Sequence, residues 1–151
     1  MITMSDDPTG AVGKKDVPMS EITTRARYEI LVAEDDAVNL DIIRAFLDGV
    51  PDLELTFAAD GRMALERAML TKFDLMIFDQ NMPHITGDRV IRHLRSGRTC
   101  NSTTPVIRFT AEADIKPIEI KTVGGVAEAI LPKPLRRETF VATIRAMLDA
   151  G

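Results

Sequence analysis

Between residues 28 and 150 the chain alternates, five times over, a short apolar run of strand length with a stretch whose apolar residues recur at helical spacing. Few folds accept that alternation. Strands separated by helices lie parallel, and the helices cover both faces of the sheet they build. The pattern predicts strands at 29 to 33, 53 to 58, 74 to 78, 105 to 109 and 128 to 131. Helices are predicted at 37 to 48, 61 to 71, 87 to 96, 112 to 122 and 135 to 149.

The apolar runs at 30, 75 and 106 are continuous, as in central strands, whereas Leu53, Leu55 and Phe57 alternate as in a strand nearer the sheet edge. In the first helix Val38, Ile42, Ala45 and Phe46 are expected to cover the sheet, with Asp36 capping the free N–H groups. Phe140, Val141, Ile144, Met147 and Leu148 do the same in the last helix, and Asp60-Gly61 turns the chain into the second. The helix at 112 to 122 has the weakest pattern, since Pro117 fits only its first turn and Gly124-Gly125 would end it. Residues 1–27 show no sustained apolar period and are expected to be a flexible extension, leaving 28–151 as the domain.

At 151 residues and 45% hydrophobic content the chain fits one domain with a sizeable core, and a separate DNA-binding or other effector domain is not expected. Its 19 basic residues are scattered among 23 acidic ones, for a net charge of -4, which disfavours a nucleic-acid surface. No apolar stretch reaches the roughly 20 residues of a membrane span, and a cytoplasmic location is expected. The single Cys100 and the two histidines, His84 and His93, support neither a disulfide framework nor a transition-metal site.

What stands at the ends of the apolar runs is more specific. Glu34-Asp35 follow Ile30-Leu31-Val32-Ala33, Asp79 follows Leu75-Met76-Ile77-Phe78, Thr110 follows Val106-Ile107-Arg108-Phe109, and Lys133 follows Ala129-Ile130-Leu131-Pro132. In a parallel sheet all four places emerge at one edge. Three carboxylates crowded together raise one another's pKa unless a dication holds them ionised, and Mg²⁺ takes such oxygen donors. Lys133 supplies a compact positive charge for a phosphate, on a loop restrained by Pro134, and Thr110 supplies a hydroxyl. Each residue alone has an ordinary explanation as a polar loop, a cap or a β-former.

Together, in order and at their spacing, these pieces resemble the receiver domain of bacterial two-component response regulators. The resemblance rests on Glu34-Asp35-Asp36, on Asp79-Gln80-Asn81-Met82-Pro83 with Gly87, on Phe109-Thr110-Ala111 and on Leu131-Pro132-Lys133-Pro134. It implies a doubly wound five-stranded parallel sheet of order 2-1-3-4-5, a flavodoxin-like three-layer sandwich with its pocket outside the carboxyl ends of the strands. By the same resemblance Asp79 is the phosphoacceptor, and Glu34, Asp35, Asp79 and the backbone carbonyl of Asn81 hold Mg²⁺, or Mn²⁺ in its place. Thr110 is then the switch hydroxyl and Lys133 the phosphate contact. The implied partners are a sensor histidine kinase or histidine phosphotransfer protein as donor, an unidentified downstream protein, and a second copy in a homodimer. The implied role is signalling, with no dedicated metabolic activity.

Two positions depart from the expected pattern. Ile130 stands where many receivers carry a mobile aromatic, so the switch is expected to rely on loop and fourth-helix movement. Arg108 interrupts a central strand and is expected to reach solvent or a carboxylate. Gln80 and Glu112 are either tuners of water access or plain loop residues. An aspartate-nucleophile phosphohydrolase would need a second acid where Asn81 stands, and a nucleotide- or flavin-binding domain would need a Gly-rich loop where Glu34-Asp35-Asp36 stands. A receiver-like module that signals without phosphorylation stays open through Ile130.

Overall fold

The computed structural model describes residues 27–111 and 120–150. The expected extension up to residue 26, Glu112, Pro117 and the predicted helix over 112–119 lie outside them. Six strands form one sheet: β1 (Tyr28–Ala33), β2 (Leu53–Ala58), β3 (Leu75–Asp79), β4 (Val106–Thr110), β5 (Ile120–Val123) and β6 (Val126–Pro132). Among the described residues four helices accompany them: α1 (Ala37–Leu47), α2 (Gly61–Leu70), α3 (Gly87–Ser96) and α4 (Arg137–Ala150). The sheet order is β2-β1-β3-β4-β6-β5, with every pair parallel except β5 with β6. The five parallel strands therefore stand in the anticipated order, and one short antiparallel strand is added at the edge.

Alternate residues of the central strands feed two cores. Ile30, Val32, Leu75, Ile77, Ile107 and Phe109 pack under α1 and α4, where Phe140, Ile144 and Met147 cover them. Leu31, Met76, Phe78 and Val106 pack under α2 and α3, where Ala64, Ala68, Val90 and Leu94 cover them. All five residues of β3 are buried, as befits a strand with neighbours on both edges and helices on both faces. The helices start where short polar side chains cap them: Asp36 accepts from Val38 N, Asp60 from Met63 N and Thr86 from Arg89 N.

Two expectations require correction. Residues 120–122 were expected to close a helix, yet they lie in β5, and Gly124-Gly125 turns the chain back into β6. Both glycines have positive φ, 59° and 84°, as a two-residue hairpin turn with the twist of its flanking strands demands. Ile120, Thr122 and Val123 are β-branched, so the local preference favours the strand. In α1 the core-facing stripe is Ile43 and Leu47, with Leu40 and Phe46 partly buried, while Val38, Ala45 and Ile42 face outward. The helix carries apolar residues along two adjacent stripes, and contact with α4 selects the one that its own periodicity leaves undecided.

At the sheet end remote from the acidic cluster, buried Asn101 knits three segments. Its amide donates to the carbonyls of Ala68 (2.6 Å) and Thr71 (2.7 Å), and its Oδ1 accepts from Phe73 N (2.9 Å) and Thr104 Oγ1 (2.8 Å). Such a residue satisfies backbone groups that helix and strand ends leave over.

Candidate functional site

Register fixes the site. Ala33 pairs with Phe78, Asp79 with Phe109 and Thr110 with Pro132, so the next residues on β1, β3, β4 and β6 meet beyond one edge. Hydrogen bonding continues past the strands, with Glu34 N donating to Ala58 O (3.0 Å), Gln80 N to Phe109 O (3.0 Å) and Lys133 N to Thr110 O (2.9 Å). These bonds draw the loops together before any side chain acts.

Asp79 is 2% exposed, and both of its oxygens are engaged. Oδ2 accepts from Lys133 Nζ at 2.9 Å, and Oδ1 accepts from Asn81 N at 3.1 Å. Lys133 follows a half-buried Pro132 and precedes Pro134 through a cis peptide bond. Glu34 is 1% exposed; its Oε2 accepts from Asp36 N at 3.2 Å, while Oε1 is buried without a hydrogen bond from the described residues and lies 3.9 Å from Lys133 Nζ. Asp35 is exposed beside them, and carboxylate oxygens of Glu34, Asp35 and Asp79 lie within 4.8 Å of one another.

Two of the three acids, Glu34 and Asp79, share the Lys133 ammonium. Burial, and then the adjacent Asp79 carboxylate, push Glu34 up to about 7 from 4.5, against the opposing pull of the Asp36 amide and of Lys133. A small dication suits this donor set on three counts: the donors are hard oxygens, Glu34 Oε1 has no hydrogen-bond partner among the described residues, and the local charge is negative. Thr110 ends β4 half-buried, its carbonyl holding Lys133 in place. Asn81 is exposed, its amide folded back on Asp79.

Close packing supports the acceptor from below. A Cβ added to Gly87 would lie 2.8 Å from the Asp79 carbonyl oxygen and 3.2 Å from Phe78 Cβ, so only glycine lets α3 begin against the end of β3. Arg108 reaches carboxylates as expected: it pairs with Asp88 in the first turn of α3 and with Glu128 of β6 at 3.0 Å. Its strand partner in β6 is half-buried Ile130. Sequence reasoning flagged Arg108 but missed Asp88 and Glu128 as its partners; Arg108 and Glu128 occupy neighbouring positions on one sheet face, a relation visible only once register is known. His84, His93 and Cys100 are exposed, and no described helix is long and apolar enough to cross a membrane.

Comparisons with known proteins bear on this geometry. A family model described as the response regulator receiver domain matches residues 30–145. The response regulator ArlR of Staphylococcus saprophyticus is 31% identical over 120 residues, 80% of this chain and 52% of that protein. The DNA-binding response regulator MtrA of Mycobacterium tuberculosis is 30% identical over 122 residues, 81% of this chain and 51% of that protein. The chain thus spans about half the length of these curated relatives. Among solved structures, the receiver domain of the sensor histidine kinase PA1611 from Pseudomonas aeruginosa PAO1 superposes with a TM-score of 0.68 at 26% identity, covering 82% of this chain and 99% of that one. That crystal holds a magnesium ion in its active site cleft. The chemotaxis protein CheY4 of Vibrio cholerae gives a TM-score of 0.64 at 27% identity, covering 81% and 99%.

Proposed function

The chain belongs to the response regulator receiver domain family of two-component signalling, and we propose that it accepts a phosphoryl group on Asp79 from a phosphohistidine and signals through a changed protein contact. Family members are signalling modules rather than metabolic enzymes. One observation carries the proposal: a buried strand-end aspartate bonded to a lysine at 2.9 Å, with two more carboxylates within 4.8 Å.

In the proposed reaction an oxygen of Asp79 attacks phosphorus in line, and the bond from phosphorus to the donor imidazole breaks with its electron pair leaving on nitrogen. Lys133 passes from the carboxylate to an oxygen of the arriving group, neutralising charge as it develops. Glu34, Asp35, Asp79 and the Asn81 carbonyl are the residues that would hold Mg²⁺, or Mn²⁺, and the bound ion would screen the acidic cluster from the incoming phosphate. The product adds negative charge and acceptor oxygens beside the ends of β4 and β6, which draws on the Thr110 hydroxyl and shifts the populations of neighbouring loop arrangements. Ile130 is not aromatic, and it leaves that shift to the loops around the site. A histidine kinase or phosphotransfer protein is the proposed donor, and the proposed place of action is the cytoplasm.

Incubation with acetyl phosphate and Mg²⁺ followed by intact mass measurement tests the assignment. The wild-type chain should gain one phosphoryl group and Asp79→Asn none; an equal gain in both, or none in either, overturns it.

A further inference from the structure

Beside the acceptor lies a cavity of about 500 Å³. Its walls come from Ile42 and Phe46 of α1, from Phe109 of β4 and from Pro134 and Leu135 after β6, and Lys133 and Glu34 of the acidic site close one end. Resting on the phosphoacceptor assignment, we propose that this cavity is a subsite for the apolar acyl group of a small acyl phosphate, so that the chain prefers aromatic or branched acyl phosphates as direct donors.

The lining matches an amphiphilic donor. Among the described residues its one cation is Lys133, the group already bonded to Asp79, so the phosphate end is held at the mouth nearest the acceptor. The remaining walls are largely hydrocarbon and suit a desolvated ring or branched chain, and the volume is that of a small-molecule pocket. The floor is fixed by ring packing: Phe140 lies 6.4 Å from Phe46 and 5.7 Å from Phe109, centroid to centroid. Phe109 is fully buried in that floor, whereas Ile42, 38% exposed, forms the rim. The reaction balances without a further reactant. An Asp79 oxygen bonds to phosphorus, the bond from phosphorus to the acyl oxygen breaks, and the electron pair leaves on the released carboxylate.

The test compares rates of phosphoryl gain from benzoyl phosphate and acetyl phosphate, with Mg²⁺ and intact mass detection, in the wild-type chain, Ile42→Ser, Leu135→Ser and Val38→Ser. Comparing the rate ratio between proteins cancels the intrinsic reactivity of the donors. The benzoyl-to-acetyl ratio should be about tenfold higher in the wild type than in Ile42→Ser or Leu135→Ser, in keeping with the discrimination an apolar pocket achieves. Val38 is exposed on the same helix but lines no part of the cavity, and Val38→Ser should keep the wild-type ratio. An equal ratio in the wild type and both cavity variants overturns the subsite, as expected if the cavity serves only a side chain of a donor protein, and leaves the phosphoacceptor assignment standing. Absence of any Asp79-dependent gain from either donor overturns both.

Discussion

Replacing Glu34 by Gln should stabilise the metal-free protein, and by an amount that grows with pH. Glu34 is buried, and its carboxyl titrates near 7 in the folded chain against 4.5 as an ordinary carboxyl. Below 4.5 both states hold the proton and the residue contributes no penalty. As pH rises, the unfolded chain ionises first while the folded chain keeps its proton, so folding stability falls until about 7 and then levels off. At ~1.36 kcal/mol per pH unit, the gap between 4.5 and about 7 amounts to roughly 3 kcal/mol. Gln keeps an acceptor for Asp36 N and carries no titratable group, so the difference between the two proteins isolates this effect. Urea unfolding with metal chelated should show Glu34→Gln ahead of the wild type by about 1 kcal/mol at pH 5 and about 3 kcal/mol at pH 8. Adding Mg²⁺ at pH 8 should recover much of the deficit in the wild type and less in the variant. A difference that stays flat with pH, or shrinks as pH rises, would refute the electrostatic account of the cluster.

Other substitutions probe the supports around the site. Arg108→Ala removes the hydrogen-bonded cation of Glu128, whose side chain is 11% exposed, leaving the charge of Arg95 to act on it, and should cost about 2 kcal/mol by chemical denaturation, while Arg108→Met with Glu128→Leu should regain most of it. Gly87→Ala forces the added carbon against the Asp79 carbonyl, so it should lower both the thermal midpoint and the rate of phosphoryl gain from acetyl phosphate; an unchanged rate would show that the acceptor is not held by this contact. Asn101→Ala removes hydrogen bonds joining Ala68, Thr71, Phe73 and Thr104, and a loss of about 3 kcal/mol is expected with the rate per folded molecule unchanged.

The sequence disclosed the strand-end chemistry because a parallel sheet has only one carboxyl edge. Once Glu34, Asp79 and Lys133 each follow an apolar run, the topology leaves them little choice but to meet, and Lys133 Nζ sits 2.9 Å from Asp79 and 3.9 Å from Glu34. Where two local solutions compete, the chain alone decides less. Ile120-Lys121-Thr122-Val123 leans to a strand only through its β-branched residues, a weak preference, and the Gly124-Gly125 pair serves either a helix stop or a hairpin turn. The two apolar stripes of α1 pose the same ambiguity, settled only by where α4 packs. Arg108 and Asn101 show another limit, because a buried polar side chain is explained by its partners, and all of those but Thr104 lie 20 to 33 residues away.

A crystal structure grown with Mg²⁺ and beryllium fluoride, which mimics a transferred phosphoryl group, tests the central assignment most directly. The account predicts the fluoride complex joined to a carboxylate oxygen of Asp79, a fluorine against Lys133 Nζ, and the metal among Glu34, Asp35, Asp79 and the Asn81 carbonyl. A fluoride complex on another side chain, or a metal bound away from Asp79, would contradict it.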